Sequence, residues 1–198
     1  MSYTTLDVVN DCLALLGELP VNGLETSHPA VPGAVRLLDN MNTLLQAERW
    51  WFNTEYPTLT PQIGNKRIVL PGDTSAVDSL TRYPEVAARG TYLYNTTDGT
   101  YEFDAPVKVR LHRVIPFEQL PLSARRYVAM ATQLKFQTTL DADSLKTREL
   151  KEERQQAYML MNAEHTRAAR VNMLARPGVA HILNNMQGQS PFAGRIKF

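Results

Sequence analysis

Apolar residues recur at helical spacing in four stretches of this chain, with a region of shorter, strand-like alternation between the second and third. Thr4-Thr5-Leu6-Asp7 places a hydroxyl at an N-cap with a carboxylate three residues later, the reciprocal arrangement of a capping box. Leu6, Val9, Cys12, Leu13 and Leu16 follow at helical spacing, and Gly17 fits the position just past a helix end. Residues 18–28 read as a loop. A second helix is predicted from about Ser27–Ala30, with Pro29 and Pro32 in its first turn. Its apolar stripe is Ala34, Leu37, Leu38, Met41, Leu44, Leu45 and Trp51, interrupted by Glu48. A third runs from Pro121 to about Leu140, with an imperfect stripe of Leu122, Tyr127, Met130, Ala131, Leu134 and Phe136. After a polar joint, Asp141-Ala142-Asp143-Ser144, which reads as a helix cap, a fourth is predicted from Ser144 to about Leu174. At 1.5 Å per residue it would be on the order of 45 Å long. A compact chain of this size has a radius of gyration near ~16 Å, so this helix traverses the body. Its stripe (Leu150, Arg154, Ala157, Met161, Glu164, Ala168, Val171, Ala175) is rich in small residues, which suits close packing on a neighbour.

Between Phe52 and Val114 the pattern changes to β-branched residues, aromatics, prolines and glycines. Arg67–Leu70 before Pro71-Gly72-Asp73 predicts a strand and turn. Tyr92-Leu93-Tyr94, the turn Asn95-Thr96-Thr97-Asp98-Gly99, and Tyr101-Glu102-Phe103 predict a hairpin with aromatics paired across it. Val107-Lys108-Val109-Arg110-Leu111 alternates with period two, giving one buried face and one basic, wet face. Pro177-Gly178 ends helical structure, and the aperiodic stretch after it predicts an arm that gains order on a partner. The fold class expected is α+β, mainly α: a bundle of about four helices from residues 1–56 and 115–175, an inserted antiparallel β region at 57–114, and an extended C-terminal arm at 176–198.

Composition adds little until charge is divided along the chain. The formal net charge is +1, yet residues 1–56 carry two bases and seven acids, and residues 165–198 carry five bases and no acid. One end can therefore attract what the other repels. The longest apolar run is five residues, Cys12–Leu16, far short of the roughly 18 a bilayer span requires. The N-terminal residues show no basic segment followed by an apolar one. No membrane partner is expected, and synthesis in a reducing cytoplasm is.

The chemistry-bearing residues do not form a recognisable constellation. No phosphate loop, dinucleotide fingerprint, nucleophile elbow or zinc-helix motif is present. His28, His112, His165 and His181 fall in different elements and never at metal-ligand spacing, and Cys12 sits on the apolar stripe of the first helix. Glu102 with Asp104, and Glu152 with Glu153, read as hairpin and helix-surface charges rather than as a glycosidase pair. No catalytic residue, cofactor or metal is expected. Trp50-Trp51-Phe52 is the densest aromatic cluster and reads first as an anchor joining the helical and β parts.

Several of these segments resemble the podovirus tail tubular protein A family. Val9 through Asn22 (VNDCLALLGELPVN) is similar to its N-terminal helix and turn. Ala47-Glu48-Arg49-Trp50-Trp51-Phe52-Asn53 is similar to the end of its second helix, where the family often reads G-W-x-F-N and this chain has Arg49 in place of the small residue. Leu93–Phe103 with Pro106–Val109, and Pro116–Pro121 leading to Arg125-Arg126-Tyr127 and Phe136-Gln137, resemble its β region and third helix. The resemblance implies a virion protein at the head–tail junction. By that resemblance it would form a ring, dodecameric in the family, that joins the portal protein to a tail nozzle (tail tubular protein B-like) while double-stranded DNA passes through the channel. The fourth helix and arm would then be portal-facing, with Arg167, Arg170, Arg176, Phe192, Arg195, Lys197 and Phe198 as candidates. The turn Asn95, Thr96, Thr97, Asp98 and Gly99 would be nozzle-facing. A tail-associated polysaccharide hydrolase and a DNA-binding module stand as alternatives.

Overall fold

The structure, a computed structural model, describes residues 3–81, 83–140 and 143–168. Helix α1 (Thr5–Leu15) begins as its sequence dictates: the Thr4 side chain accepts from the Asp7 amide while the Asp7 carboxylate accepts from the Thr4 amide. These bonds hold the Asp7 carboxyl below the usual carboxylate range. Gly17, at φ 76°, closes the helix end in the left-handed region. Helix α2 (Val31–Gln46) starts later than predicted, with Pro32 in its first turn and no side-chain cap.

Helix α3 (Leu122–Leu140) is the centre of the bundle and packs on α1, α2 and α4 (Ser144–Ala168). That explains its imperfect stripe. A helix surrounded by three others buries Ala124, Val128, Thr132, Gln133, Phe136 and Gln137 around much of its circumference, while Leu122 is exposed. Asp143 caps α4, its carboxylate accepting from the amides of Leu145 and Lys146. Leu150, Ala157 and Met161 of the expected stripe face the bundle; the small Ala157 lets α3 and α4 approach closely. Asp141, Ala142, the final turns expected after Ala168 and the whole arm at 176–198 lie outside the described residues.

Among the described residues six strands lie between the helices: β1 (Thr54–Glu55), β2 (Thr58–Leu59), β3 (Thr74–Ser79), β4 (Val86–Arg89), β5 (Tyr92–Asn95) and β6 (Val107–Arg113). Strand β6 is the hub, antiparallel to β3 on one side and to β1 and β2 on the other. Its alternation is as predicted: Val107, Val109 and Leu111 are buried, Lys108 and Arg110 exposed. The hairpin differs from the expected one. Strand β5 pairs with β4 across a tight Gly90-Thr91 connection, in which Gly90 takes φ 61°. The segment Tyr101–Phe103 does not ladder with Tyr92–Tyr94; a single Asn95–Thr100 bridge closes the turn, and Glu102 bridges to Arg67 instead. The aromatics still meet, with the Tyr94 and Tyr101 rings 4.9 Å apart. Arg67–Leu70 likewise makes isolated bridges rather than a strand, although Ile68 and Leu70 are buried.

Two hydrophobic clusters result. One joins the helices through Val9, Leu13, Leu38, Val128, Phe136 and Met161. The other lies under the strands, formed by Ile68, Leu93, Phe103, Val109 and Leu111 among others. The chain crosses between them at Trp50–Asn53 on the way out and at Ile115 on the way back.

Candidate functional site

The crossing point is held by buried amides. The Gln46 side chain donates to the Ile115 carbonyl (2.8 Å) and accepts from the Ile115 amide (2.7 Å), while Asn42 donates to the same carbonyl (3.1 Å). Asn53 accepts from the Trp50 amide and donates to the Gln46 carbonyl, both at 2.8 Å. Trp50 is buried and its indole N–H donates to the Leu45 carbonyl (2.8 Å). Helix α2 thus presents Asn42 and Gln46 inward, where the apolar stripe had suggested Leu44, which is exposed. Buried backbone at a helix-to-strand crossing needs partners, and these amides supply them.

Beside this crossing a groove of about 440 Å³ opens, lined by Arg49, Trp50, Trp51, Thr54, Tyr56, Arg110, His112, His165 and Ala168. The last turn of α4 closes one side: His165 lies edge-on to Trp50 (5.1 Å between centroids) and 5.7 Å from Trp51. On the sheet side, Arg110 lies 5.8 Å from the centre of the Tyr56 ring, within cation–π range. Arg49 donates to Asp78 at 2.7 Å. His112, 1% exposed, meets the Thr54 hydroxyl at 3.1 Å through Nδ1 and faces Asp78 at 3.4 Å through Nε2. Burial, opposed by Asp78, leaves its imidazole below the ordinary value. Arg110, and Lys108 beyond it on β6, have no carboxylate partner among the described residues. The groove is therefore aromatic in its walls and cationic at its rim.

The predicted site residues are distributed differently. Asn95 is buried, its carbonyl side-chain oxygen accepting from the amides of Thr97 and Asp98 and its amide group donating to the Asp98 carboxylate. Thr96, Thr97, Asp98 and Gly99 are exposed, but the turn is tethered: Tyr83 donates to Asp98 and the Glu85 amide donates to Thr97. It is a braced knuckle, not a free hairpin tip. Arg167 is exposed on the last described turn of α4, donating to the Ala163 carbonyl. Arg170, Arg176, Phe192, Arg195, Lys197, Phe198 and His181 lie outside the described residues.

Among the described residues no group of three His, Cys, Asp or Glu side chains could hold a metal ion, and no helix is long and apolar enough to cross a membrane. The Cys12 thiol is fully buried, and burial together with Asp11 pushes it up to about 12, away from nucleophilic character. Asp104 is bound by Lys66 at 2.7 Å; Glu152 and Glu153 are exposed on α4. The aromatic cluster and the basic face of β6 were each visible in the sequence. That His165 would meet Trp50 and Trp51 was not, because those contacts span 114 or more residues.

A family model described as tail tubular protein matches residues 6–171 of this chain. Tail tubular protein A of Klebsiella phage KP34 is 31% identical over 127 residues, which cover 64% of this chain and 68% of that protein.

Proposed function

The chain belongs to the tail tubular protein family, and we propose that it is the ring-forming adaptor that joins a phage portal to the tail nozzle. The coarser role, a structural component of a phage tail, follows from family membership. The portal, the nozzle, a ring (dodecameric by the family resemblance) and the passage of double-stranded DNA are the proposed specifics, with assembly at the head–tail junction after synthesis in the host cytoplasm. On this reading the protein works by surfaces and not by catalysis, and residues 57–114 and 176–198 are an inserted β unit and an arm on a helical bundle.

The observation that carries the reading is the match along residues 6–171, which spans both the bundle and the β insertion. The rigid crossing at Gln46, Asn53 and Ile115 supports it, since an adaptor must transmit force between two partners through one body. Arg167, with Arg170, Arg176, Phe192, Arg195, Lys197 and Phe198, is assigned to the portal-facing end. The exposed Thr96, Thr97, Asp98 and Gly99, held in shape by Asn95, are assigned to the nozzle-facing end. Mixing the purified chain with portal rings and sizing the product tests this directly. A portal-sized particle enlarged by a ring of this chain is expected; absence of any complex would overturn the role.

A further inference from the structure

The groove at the crossing has the character of a receptor for an acidic, leucine-bearing peptide. Its rim carries Arg110, which has no carboxylate partner among the described residues, and Arg49, which is paired with Asp78; its walls are Trp51 and Tyr56, the latter 66% exposed. One unpaired cation is few for nucleic acid, where a footprint of roughly 6–10 phosphate contacts carries a strong salt dependence, but enough for a carboxylate. A segment of matching chemistry exists on this chain. The loop between α1 and α2 carries Glu18 and Glu25 around Leu19, 83% exposed, and Leu24, 41% exposed. It is held in shape by Asn10, which donates to the Val21 carbonyl and accepts from the Val21 amide. Among the described residues Glu18 has the His28 imidazole at 3.9 Å, and Glu25 has no ion-pair partner.

That loop cannot reach the groove of its own subunit. Lys146, near the start of α4, donates to the Leu15 carbonyl beside the loop, while His165 near the other end of α4 packs on Trp50. The nineteen residues between them rise about 28 Å along α4. Loop and groove are therefore distinct, well-separated patches, as the heterologous contact of a ring requires. We propose that the α1–α2 loop of one copy, through Leu19, Leu24, Glu18 and Glu25, docks in the Trp51–Tyr56–Arg110 groove of the next. This rests on the ring reading above and names the surfaces that would close it.

The test uses the full chain, alone and assembled on portal. Because Cys12 is buried, Leu19→Cys and Tyr56→Cys introduce single reactive thiols. A short bis-maleimide is expected to join a mixture of the two variants into a dimer, and to give a ladder with the double variant but not with either alone. Arg110→Glu is expected to weaken self-association about tenfold, and Glu25→Arg in the same chain to restore part of it; circular dichroism verifies that each variant is folded. Rings that form without cross-linking, and that Arg110→Glu leaves unchanged, would overturn this contact and leave the adaptor reading standing. A chain that stays monomeric both alone at about 1 mM and in the presence of portal would overturn both.

Discussion

Arg49 holds a left-handed backbone conformation, φ 63°, at the point where α2 gives way to the crossing. A side chain there costs about 1–2 kcal/mol relative to a residue without Cβ, which accounts for a small residue at this place in the family's pattern. What this chain has in exchange is the bond to Asp78, itself worth at most about 1 kcal/mol at so exposed a site. Arg49→Ala keeps the strain and loses the bond, whereas Arg49→Gly loses both. Arg49→Gly should therefore be more stable than Arg49→Ala by about 1 kcal/mol in urea unfolding, and close to the parent. His112 gives a second prediction at this scale. Its imidazole is held neutral by burial against the pull of Asp78, with Arg49 and Arg110 nearby. As pH falls through the ordinary imidazole value near ~6.5, the unfolded chain takes up a proton that the folded chain refuses. Stability should fall from there down to the lower folded value. His112→Asn, which can still meet Thr54, should flatten that part of the stability–pH curve. An unchanged slope would show that some other group is responsible.

At the scale of elements, the helices were legible and the strand pairings only partly so. The capping box at Thr4 and Asp7, the glycine stop at Gly17 and the alternation of β6 are local signals, and local signals survive into the fold. In sequence, Asp98-Gly99 reads as the stronger hairpin turn. The two-residue Gly90-Thr91 connection, with its own left-handed glycine, brings β4 and β5 together instead. Nothing in the spacing of apolar residues reveals that Asn42 and Gln46 face inward, since their partner is backbone sixty-nine or more residues away. Gln46→Leu keeps the volume but leaves the half-buried Ile115 amide without its acceptor. The expected loss is about 1–3 kcal/mol, seen as a lower thermal midpoint and as faster hydrogen exchange at Ile115 than in the centre of α3. A loss below about 0.5 kcal/mol would mean that the crossing relaxes and is not the rigid joint described.

For the whole molecule, charge is divided unevenly along the sequence. The acid-rich first 56 residues include α1 and α2, whereas the acid-free stretch from 165 onward begins in the last turn of α4. If that basic end meets the portal, its contribution is largely between exposed charges, and these are screened once the Debye length shrinks from about 10 Å at 0.1 M salt to about 3 Å at 1 M. The loop-in-groove contact between copies has a different balance, because Leu19, Leu24, Trp51 and Tyr56 bury apolar surface that salt does not weaken. The two interfaces should therefore separate on a salt axis. Capture of the chain by immobilised portal rings should weaken at least about tenfold between 0.05 M and 0.5 M sodium chloride, while cross-linking of Leu19→Cys to Tyr56→Cys changes much less. Portal affinity that stays constant across that range would remove electrostatics as its source. The apolar segments of the arm would then have to supply the portal contact alone.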